Sequence, residues 1–159
     1  MNRIVIREHI LEDLDAYAEW QSDPEIARHL VWLPKNRAEA QKGLLEAIEQ
    51  QTAIPRRKYF FAIVSVDNAE VIGDVGFTIT ARETGDCGWF IRKEYWDRGY
   101  ATEATKLMIQ YAFGNAGLER LSASCSLANP ASEKVMLKCG FKCTERSESR
   151  VHYEIINEH

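Results

Sequence analysis

The sequence lacks the features that mark several well-known classes of protein. Its formal net charge is −4 at pH 7, and without a basic surplus we expect no nucleic-acid partner. No apolar stretch approaches the roughly 20 residues that span a bilayer, and the start of the chain shows no signal-peptide pattern. We therefore expect a cytoplasmic protein with no membrane partner. The four histidines are scattered without zinc-ligand spacing, so no metal site is predicted.

The cysteines and glycines exclude further kinds of site. The four cysteines (Cys87, Cys125, Cys139 and Cys143) stand in apolar or strand-like contexts and form no C-x-x-C pair. We expect buried free thiols rather than a redox or metal site. The glycines fit neither G-x-G-x-x-G nor G-x-x-x-x-G-K-[ST], so the sequence does not indicate a dinucleotide-binding or P-loop protein.

Length and composition are those of one globular domain, predicted over residues 1–159, with 45% apolar and 28% charged content. Segments of β-branched, aromatic or alternating residues predict strands, and segments with a period near 3.6 predict helices between them. The predicted strands are 3–7, 59–66, 71–80, 86–91, 121–126, 141–145 and 151–156. Their order with the helices predicts an α+β fold, in which helices pack on a mostly antiparallel sheet.

The most informative segment is Trp-Asp-Arg-Gly-Tyr-Ala-Thr-Glu-Ala at 96–104, which follows an apolar strand and opens a helix. Apolar residues then recur at helical spacing through Tyr111 and Ala112, so one face of this helix packs on a core. Unpaired N–H groups at a helix start attract anions. Gly99 allows close approach of the backbone, and the small Ala101 leaves room for a phosphate. The segment predicts a diphosphate site, and by itself it does not identify the ligand.

A second segment narrows the choice: Asn-Pro-Ala-Ser at 129–132, followed by Val-Met-Leu-Lys-Cys-Gly-Phe at 135–141. Together the two segments resemble the GNAT superfamily of acyl-CoA-dependent N-acyltransferases. More narrowly, they resemble its branch of RimJ- and RimL-like ribosomal-protein N-terminal acetyltransferases, which segments 23–26 and 32–34 also fit. The wider superfamily often begins the glycine loop with Gln or Arg. This chain has Trp96 there, as the branch commonly does.

The resemblance implies a GNAT-like, mostly antiparallel sheet with helices on both faces and a splay between the fourth and fifth strands. It implies acetyl-CoA as cosubstrate, with the pantetheine arm in the splay and the pyrophosphate on N–H groups at the helix start. A homodimer is an expectation from the resemblance alone, since nothing in this sequence marks one. The cofactor-binding residues expected on this basis are Phe90, Ile91, Arg92, Arg98, Gly99, Tyr100, Ala101, Thr102, Asn129 and Ser132.

Asp86 is the leading candidate for the catalytic base that deprotonates the amine. The branch often carries Glu at this place, and strand alternation puts Asp86 on one face with Gly88 and Phe90. Its short side chain favours action through a water molecule. The alternative is a solvated aspartate at a strand end. Glu83 and Glu94 are weaker candidates, because each is more typical of a surface charge.

Ser132 is the second catalytic candidate, as the proton donor to the departing thiolate that the resemblance implies. The pattern favours instead a serine that caps the helix and contacts CoA. Met136 stands where many relatives carry a tyrosine general acid, so that acid is absent. A backbone N–H near Ile91 can polarise the thioester carbonyl without any particular side chain.

The sequence leaves the acceptor open. Trp20, Trp32 and Trp89 are candidates to line its pocket, although tryptophans are more often core residues. The first hypothesis is an N-acetyltransferase acting on a primary amine, such as a protein N-terminus, a polyamine, an amino sugar or an antibiotic. The alternative is a catalytically weak module of the same fold that binds CoA or acyl-CoA as a sensor.

Overall fold

The computed structural model describes residues 2–21, 23–27 and 36–158. In these residues the strands form one sheet in the order β1-β2-β3-β4-β5-β7-β6. The strands are β1 (Ile4–Glu8), β2 (Lys58–Ser65), β3 (Val71–Ala81), β4 (Thr84–Ile91), β5 (Arg120–Ser126), β6 (Lys142–Arg146) and β7 (Arg150–Ile156). The helices are α1 (Leu14–Gln21), α2 (Pro24–Ala27), α3 (Arg37–Gln50), α4 (Tyr100–Gly114) and α5 (Pro130–Lys138), with 3-10 turns at Leu11–Asp13 and Lys93–Tyr95.

β4 and β5 form the parallel pair of an otherwise antiparallel sheet, and they separate soon after they meet. Their register runs from Thr84 opposite Arg120 to Asp86 opposite Ser122. In the described residues this pairing stops at Asp86, while β5 continues along β7. We call the opening between residues 87–91 and 123–126 the splay. The mixed, mostly antiparallel sheet and its splay between the fourth and fifth strands are thus confirmed.

Helices cover both faces of the sheet, as the resemblance implied. On one face α4 packs over the main core, where Phe77 of β3 and Met108 of α4 are fully buried. We call this the α4 face. On the other face, α1 and α3 enclose a smaller cluster around Trp20 and Leu44. Phe90 of β4 packs against this smaller cluster, with its ring centroid 5.2 Å from that of Trp20.

Local signals explain where α3 begins. Asn36 is its N-cap, and Asn36 Oδ1 accepts the N–H of Glu39 at 2.9 Å. The bond satisfies one of the N–H groups that have no partner inside the helix. Ala40, Leu44 and Ala47 are then buried at helical spacing, so that one side of α3 faces the core.

The four cysteines are free, but they are not all buried. Cys87 and Cys125 are buried and Cys139 is half-buried, whereas Cys143 is exposed on β6. The expectation of buried thiols is therefore wrong for Cys143. Its exposure follows from the position of β6 at the edge of the sheet, where every residue of the strand is exposed.

From the sequence we expected neither a membrane-spanning helix nor a metal site. Within 2–21, 23–27 and 36–158, no helix has the length and apolarity that a membrane crossing requires. Over the same ranges, no group of three or more His, Cys, Asp or Glu residues is placed to hold a metal ion. Trp32 and segment 32–34 lie outside the described residues.

A buried ionic cluster, which no sequence pattern indicated, joins the end of β1 to β3. His9 Nδ1 lies 3.0 Å from Asp13 Oδ2, and His9 Nε2 lies 2.5 Å from Asp74 Oδ2. Arg7 donates two further bonds to Asp13, at 2.8 and 2.9 Å. Burial opposes a charge on His9, but the bonds to both carboxylates outweigh it and raise its pKa to about 9. Despite burial, bonds from His9 and Arg7 hold the pKa of Asp13 well below its usual range.

Candidate active site

A cleft of about 420 Å³ opens at the splay, between the end of β4, the start of α4 and the start of α5. Three stretches of chain line it: Trp89, Phe90, Ile91, Tyr95, Trp96, Asp97, Gly99, Tyr100, Ala101, Thr102, Asn129, Ala131, Ser132, Lys134, Val135 and Lys138. The two segments that the sequence singled out, 96–104 and 129–132, therefore meet at one cleft.

The start of α4 offers backbone N–H groups to this cleft. Gly99 is the N-cap and has a φ of 81°, a left-handed conformation that favours glycine. The N–H of Glu103 bonds to the Gly99 carbonyl at 3.1 Å and closes the first turn. The N–H groups of Tyr100, Ala101 and Thr102 precede that bond and have no acceptor inside the helix. Such a group of donors suits an anion.

Arg3 fixes this turn from the residue before β1. Its backbone N–H and its Nε each donate to the Glu103 carboxylate at 3.0 Å. Its guanidinium also lies 4.2 Å from the centroid of the Tyr100 ring, a cation–π contact. Arg3 and Glu103 are 100 residues apart, and a contact over that separation leaves no local pattern in the sequence.

The edge of β4 that faces the splay is held by Trp96. The N–H of Arg92 donates to the Ile72 carbonyl at 2.7 Å, so the Arg92 amide faces β3. Because backbone direction alternates along a strand, the amide of Ile91 faces the splay. The Ile91 carbonyl accepts a bond from Trp96 Nε1 at 2.7 Å. Trp96 thus ties the loop before α4 to β4, a contact that the sequence did not predict.

Asn129 and Ser132 bond to each other across the first turn of α5. Asn129 Oδ1 accepts the Ser132 N–H at 3.3 Å, and Asn129 Nδ2 donates to Ser132 Oγ at 2.9 Å. Asn129 is therefore the N-cap of α5. The sequence favoured Ser132 for the capping role, but Asn129 performs it. Since Ser132 Oγ accepts in this pair, its O–H proton is not used by the cap.

Asp86 lies at the closed end of the splay, on the face opposite α4. Its Oδ1 accepts a bond from Ser122 Oγ at 3.0 Å. Desolvation raises the pKa of Asp86, while the Ser122 bond and the nearby His152 and Arg150 oppose the rise. A raised carboxylate pKa suits a general base, and this carboxylate stands at the last residue pair before the splay opens.

Comparison with known proteins decides the family. The profile of the acetyltransferase (GNAT) domain matches residues 3–142. The chain belongs to the GNAT acetyltransferase family. Among curated relatives, the uncharacterized N-acetyltransferase p20 of Bacillus licheniformis is 27% identical over 142 residues, which is 88% of this chain and 79% of p20. As a member of this family the chain is an acyl-CoA-dependent N-acetyltransferase.

Solved structures share its fold. The ribosomal-protein-S5-alanine acetyltransferase from Vibrio fischeri superposes with a TM-score of 0.86 at 19% identity, covering 99% of this chain and 95% of the other. The microcin C7 self-immunity acetyltransferase MccE, solved with acetyl-CoA and AMP, has a TM-score of 0.80 at 17% identity, covering 99% and 94%. At these identities the likeness concerns the GNAT fold alone.

The cleft of this acetyltransferase gathers most residues that were expected to bind the cosubstrate. Those that line it are Phe90, Ile91, Gly99, Tyr100, Ala101, Thr102, Asn129 and Ser132. Arg92 and Arg98 are absent from the described lining. The Arg92 side chain turns to Glu94, at 3.4 Å, and to Glu19, at 3.6 Å. Arg98 lies over the ring of Tyr95 instead, 5.8 Å from its centroid.

Sequence reasoning missed two cations in the cleft lining. Lys134 and Lys138 lie one helical turn apart on α5, so they share a side of the helix. The sequence could have predicted these two lysines from their spacing to the Asn129 cap, because the start of a helix determines which of its residues face the cleft. Both lysines add positive charge where a phosphate is expected.

Of the other candidates named from the sequence, some lie at the cleft and others lie away from it. Trp89 lines the cleft, whereas Trp20 is buried in the α1 cluster. Glu94 is exposed beside Arg92, and Glu83 lies in the turn before β4 with a φ of 60°. Met136 is fully buried in the main core, so no acid reaches the cleft from that position.

Proposed function

We propose that this acetyltransferase transfers the acetyl group of acetyl-CoA directly to a primary amine bound on the Asp86 side of the splay. One observation carries the proposal. The N–H groups at the start of α4, the edge of β4 that β5 leaves beyond Asp86, and Ser132 meet at a single cleft in the splay, whose closed end holds Asp86. Such a cleft suits a long ligand with a diphosphate at one end and a reactive group at the other.

The lining residues fit acetyl-CoA, which supplies an activated thioester when it is bound. The N–H groups of Tyr100, Ala101 and Thr102 would hold the pyrophosphate, and Lys134 and Lys138 add charge of the required sign. The edge of β4 beyond Asp86, which β5 does not pair, offers backbone groups to the amide-containing pantetheine arm.

The reacting groups have distinct tasks. Asp86 accepts a proton from the ammonium form of the acceptor; because it stands outside the cleft lining, we assign this transfer to a bridging water. The free amine attacks the carbonyl carbon, and the Ile91 N–H stabilises the developing oxyanion. The carbon–sulfur bond then breaks, and the Ser132 O–H protonates the departing thiolate. The surplus proton of the newly acylated nitrogen passes through water to restore the Ser132 hydroxyl, which leaves a neutral amide and free CoA thiol.

The acceptor is proposed as a class, a primary amine. A protein N-terminus draws support from the fold neighbour named for ribosomal protein S5 alanine. Polyamines, amino sugars and antibiotics belong to the same class. We further propose that residues 1–159 act as one domain in the cytoplasm. The homodimer that the resemblance implies stays a prediction.

A second candidate function, a CoA or acyl-CoA sensor with weak turnover, is favoured by the buried Met136. Thiol release from acetyl-CoA across a panel of amines separates the two functions. Release that depends on an amine and is lost in Asp86→Asn supports the transferase. Tight CoA binding without release by any amine would instead leave the sensor as the better description.

A further inference from the structure

Besides Asp86, the face of the splay opposite α4 carries charged groups that the proposed chemistry does not use. Strand pairing and alternation place Asp86, Ser122, Ser124, His152 and Arg150 on this one face. The intervening residues of β5 and β7 are buried in the main core, which fixes the assignment. We call these five residues the acceptor strip. Ser124 and His152 are exposed, so the strip is open to a ligand.

Arg150 is the unusual member of the strip. It is half-buried, and in the described residues its guanidinium meets no carboxylate; its Nη2 donates to the neutral Ser124 Oγ at 3.0 Å. Half-buried arginines elsewhere bond to carboxylates, as Arg56 does with Glu8. Arginines without a carboxylate, such as Arg82, are exposed. A partly desolvated guanidinium with donors to spare suits a carboxylate or phosphate supplied by a ligand.

The other end of the strip is acidic. The carboxylate there is that of Asp86, which bonds to Ser122, whereas Glu154, opposite Ser122 on β7, already pairs with Arg120 at 3.3 Å. Ser122 and Ser124 are two residues apart on one strand, so the Asp86 and Arg150 contacts lie about 7 Å apart along β5. A small zwitterionic molecule or the first residues of a peptide span this distance.

We propose that the acceptor strip selects an amine that also carries an anionic group, with the ammonium beside Asp86 and the carboxylate or phosphate on Arg150. The inference rests on the proposed function and narrows its acceptor. Polyamines have no anionic group to place on Arg150. His152 lies opposite Ser124, the residue to which Arg150 Nη2 donates.

Matched acceptor pairs test the inference through kcat/KM, corrected for the free-amine fraction of each compound. The pairs are β-alanine with β-alaninamide, O-phosphoethanolamine with ethanolamine, and Ala-Glu amide with Ala-Gln amide. The anionic member of at least one pair is expected to react about tenfold better or more. A preference for β-alanine or Ala-Glu amide indicates that Arg150 binds a carboxylate, and a preference for O-phosphoethanolamine indicates that it binds a phosphate. Arg150→Gln abolishes the preference through KM, Arg150→Lys keeps part of it, and the exposed Arg82→Gln keeps all of it.

Calorimetric titration of the same anionic probes into the CoA complex gives a readout without turnover. Binding that weakens about tenfold in Arg150→Gln supports the inference. A preference that survives Arg150→Gln, or anionic probes that bind and react no better than their neutral partners, overturns it. Failure of every amine to release thiol, with Arg150-dependent anion binding intact, would contradict the transferase and leave the strip in place.

Discussion

Asp86 Oδ1 and Ser122 Oγ lie 3.0 Å apart across the point where β4 and β5 separate. The bond orients the carboxylate at the last residue pair before the sheet opens. The base proposed for catalysis is therefore positioned by the same strand pair whose divergence creates the cleft.

Asp86→Asn removes the proposed base while keeping a side chain of similar size. We expect turnover to fall about a hundredfold near neutral pH, with little change in CoA affinity. The deficit narrows as pH rises, because the acceptor amine then loses its proton without help. Glu83→Gln, in the turn before β4, is the matched control. A deficit that stays constant from pH 6 to pH 10 would exclude Asp86 as the base.

Gly99→Val tests the anion site at the start of α4. A β-branched residue at a φ of 81° is strained, and its Cβ would come within 3.4 Å of the Arg3 guanidinium that holds this turn. CoA affinity, measured by calorimetry, is expected to weaken about tenfold or more, because relief of the strain displaces the N–H groups at the helix start from the pyrophosphate. Gly114→Val is the control, because a Cβ at Gly114 meets no atom within 4 Å and its φ is not left-handed. Equal CoA affinity in the two variants would contradict the assignment.

Ser132→Ala separates protonation of the thiolate from support of the helix. The Ser132 N–H keeps its bond to Asn129 Oδ1, so thermal stability should stay unchanged while kcat falls about tenfold or more. Asn129→Ala should instead lower the free energy of unfolding by about 1 kcal/mol, because the cap is lost. A wild-type kcat in Ser132→Ala would return that serine to a purely structural role.

The His9 cluster makes stability depend on pH in a defined direction. The pKa of His9 is raised above its unfolded value of 6.5 to about 9, so its contribution is complete below about pH 6.5. That contribution, on the order of 3 kcal/mol, is lost as pH rises through 9. The pKa of Asp13 is lowered, so its share is present above about pH 4 and is lost as pH falls.

Urea unfolding between pH 5 and pH 10 measures this dependence. The wild type should lose stability on the alkaline side, whereas His9→Gln should be less stable at pH 6 and nearly flat from pH 7 to pH 10. Asp74→Asn gives a smaller alkaline loss, because one of the two carboxylates that raise the His9 pKa is gone. An alkaline loss of the same size in His9→Gln would assign the effect to another group.

Local patterns predicted the fold well. Each strand was placed within two residues of its observed bounds, and the helix start at Gly99 and the turn at Asn129 occur where the sequence indicated. These features depend on neighbouring residues, through side-chain periodicity, caps and turn preferences. The resemblance supplied what periodicity does not, namely the divergence of β4 from β5.

Long-range ionic contacts escaped prediction. Arg3 bonds to Glu103 and His9 to Asp74 across 100 and 65 residues, and neither pair has a spacing that a sequence pattern records. The acceptor strip depends on the register of β5 with β7, which places Arg150 within reach of Ser124. Such register becomes visible only when the strands are paired.

The exposure of Cys143 gives the enzyme a natural attachment point for a spectroscopic probe. Burial raises the pKa of the Cys87, Cys125 and Cys139 thiols, in the last case to about 11, which slows their reaction with maleimides near neutral pH. A fluorophore should therefore couple to Cys143 first. It would stand on β6 opposite Tyr153, on the α4 face of the sheet, and so on the other side of the sheet from Arg150 and His152 and outside the cleft. Its emission could then report unfolding of a native-sequence protein while the acceptor strip stays unmodified.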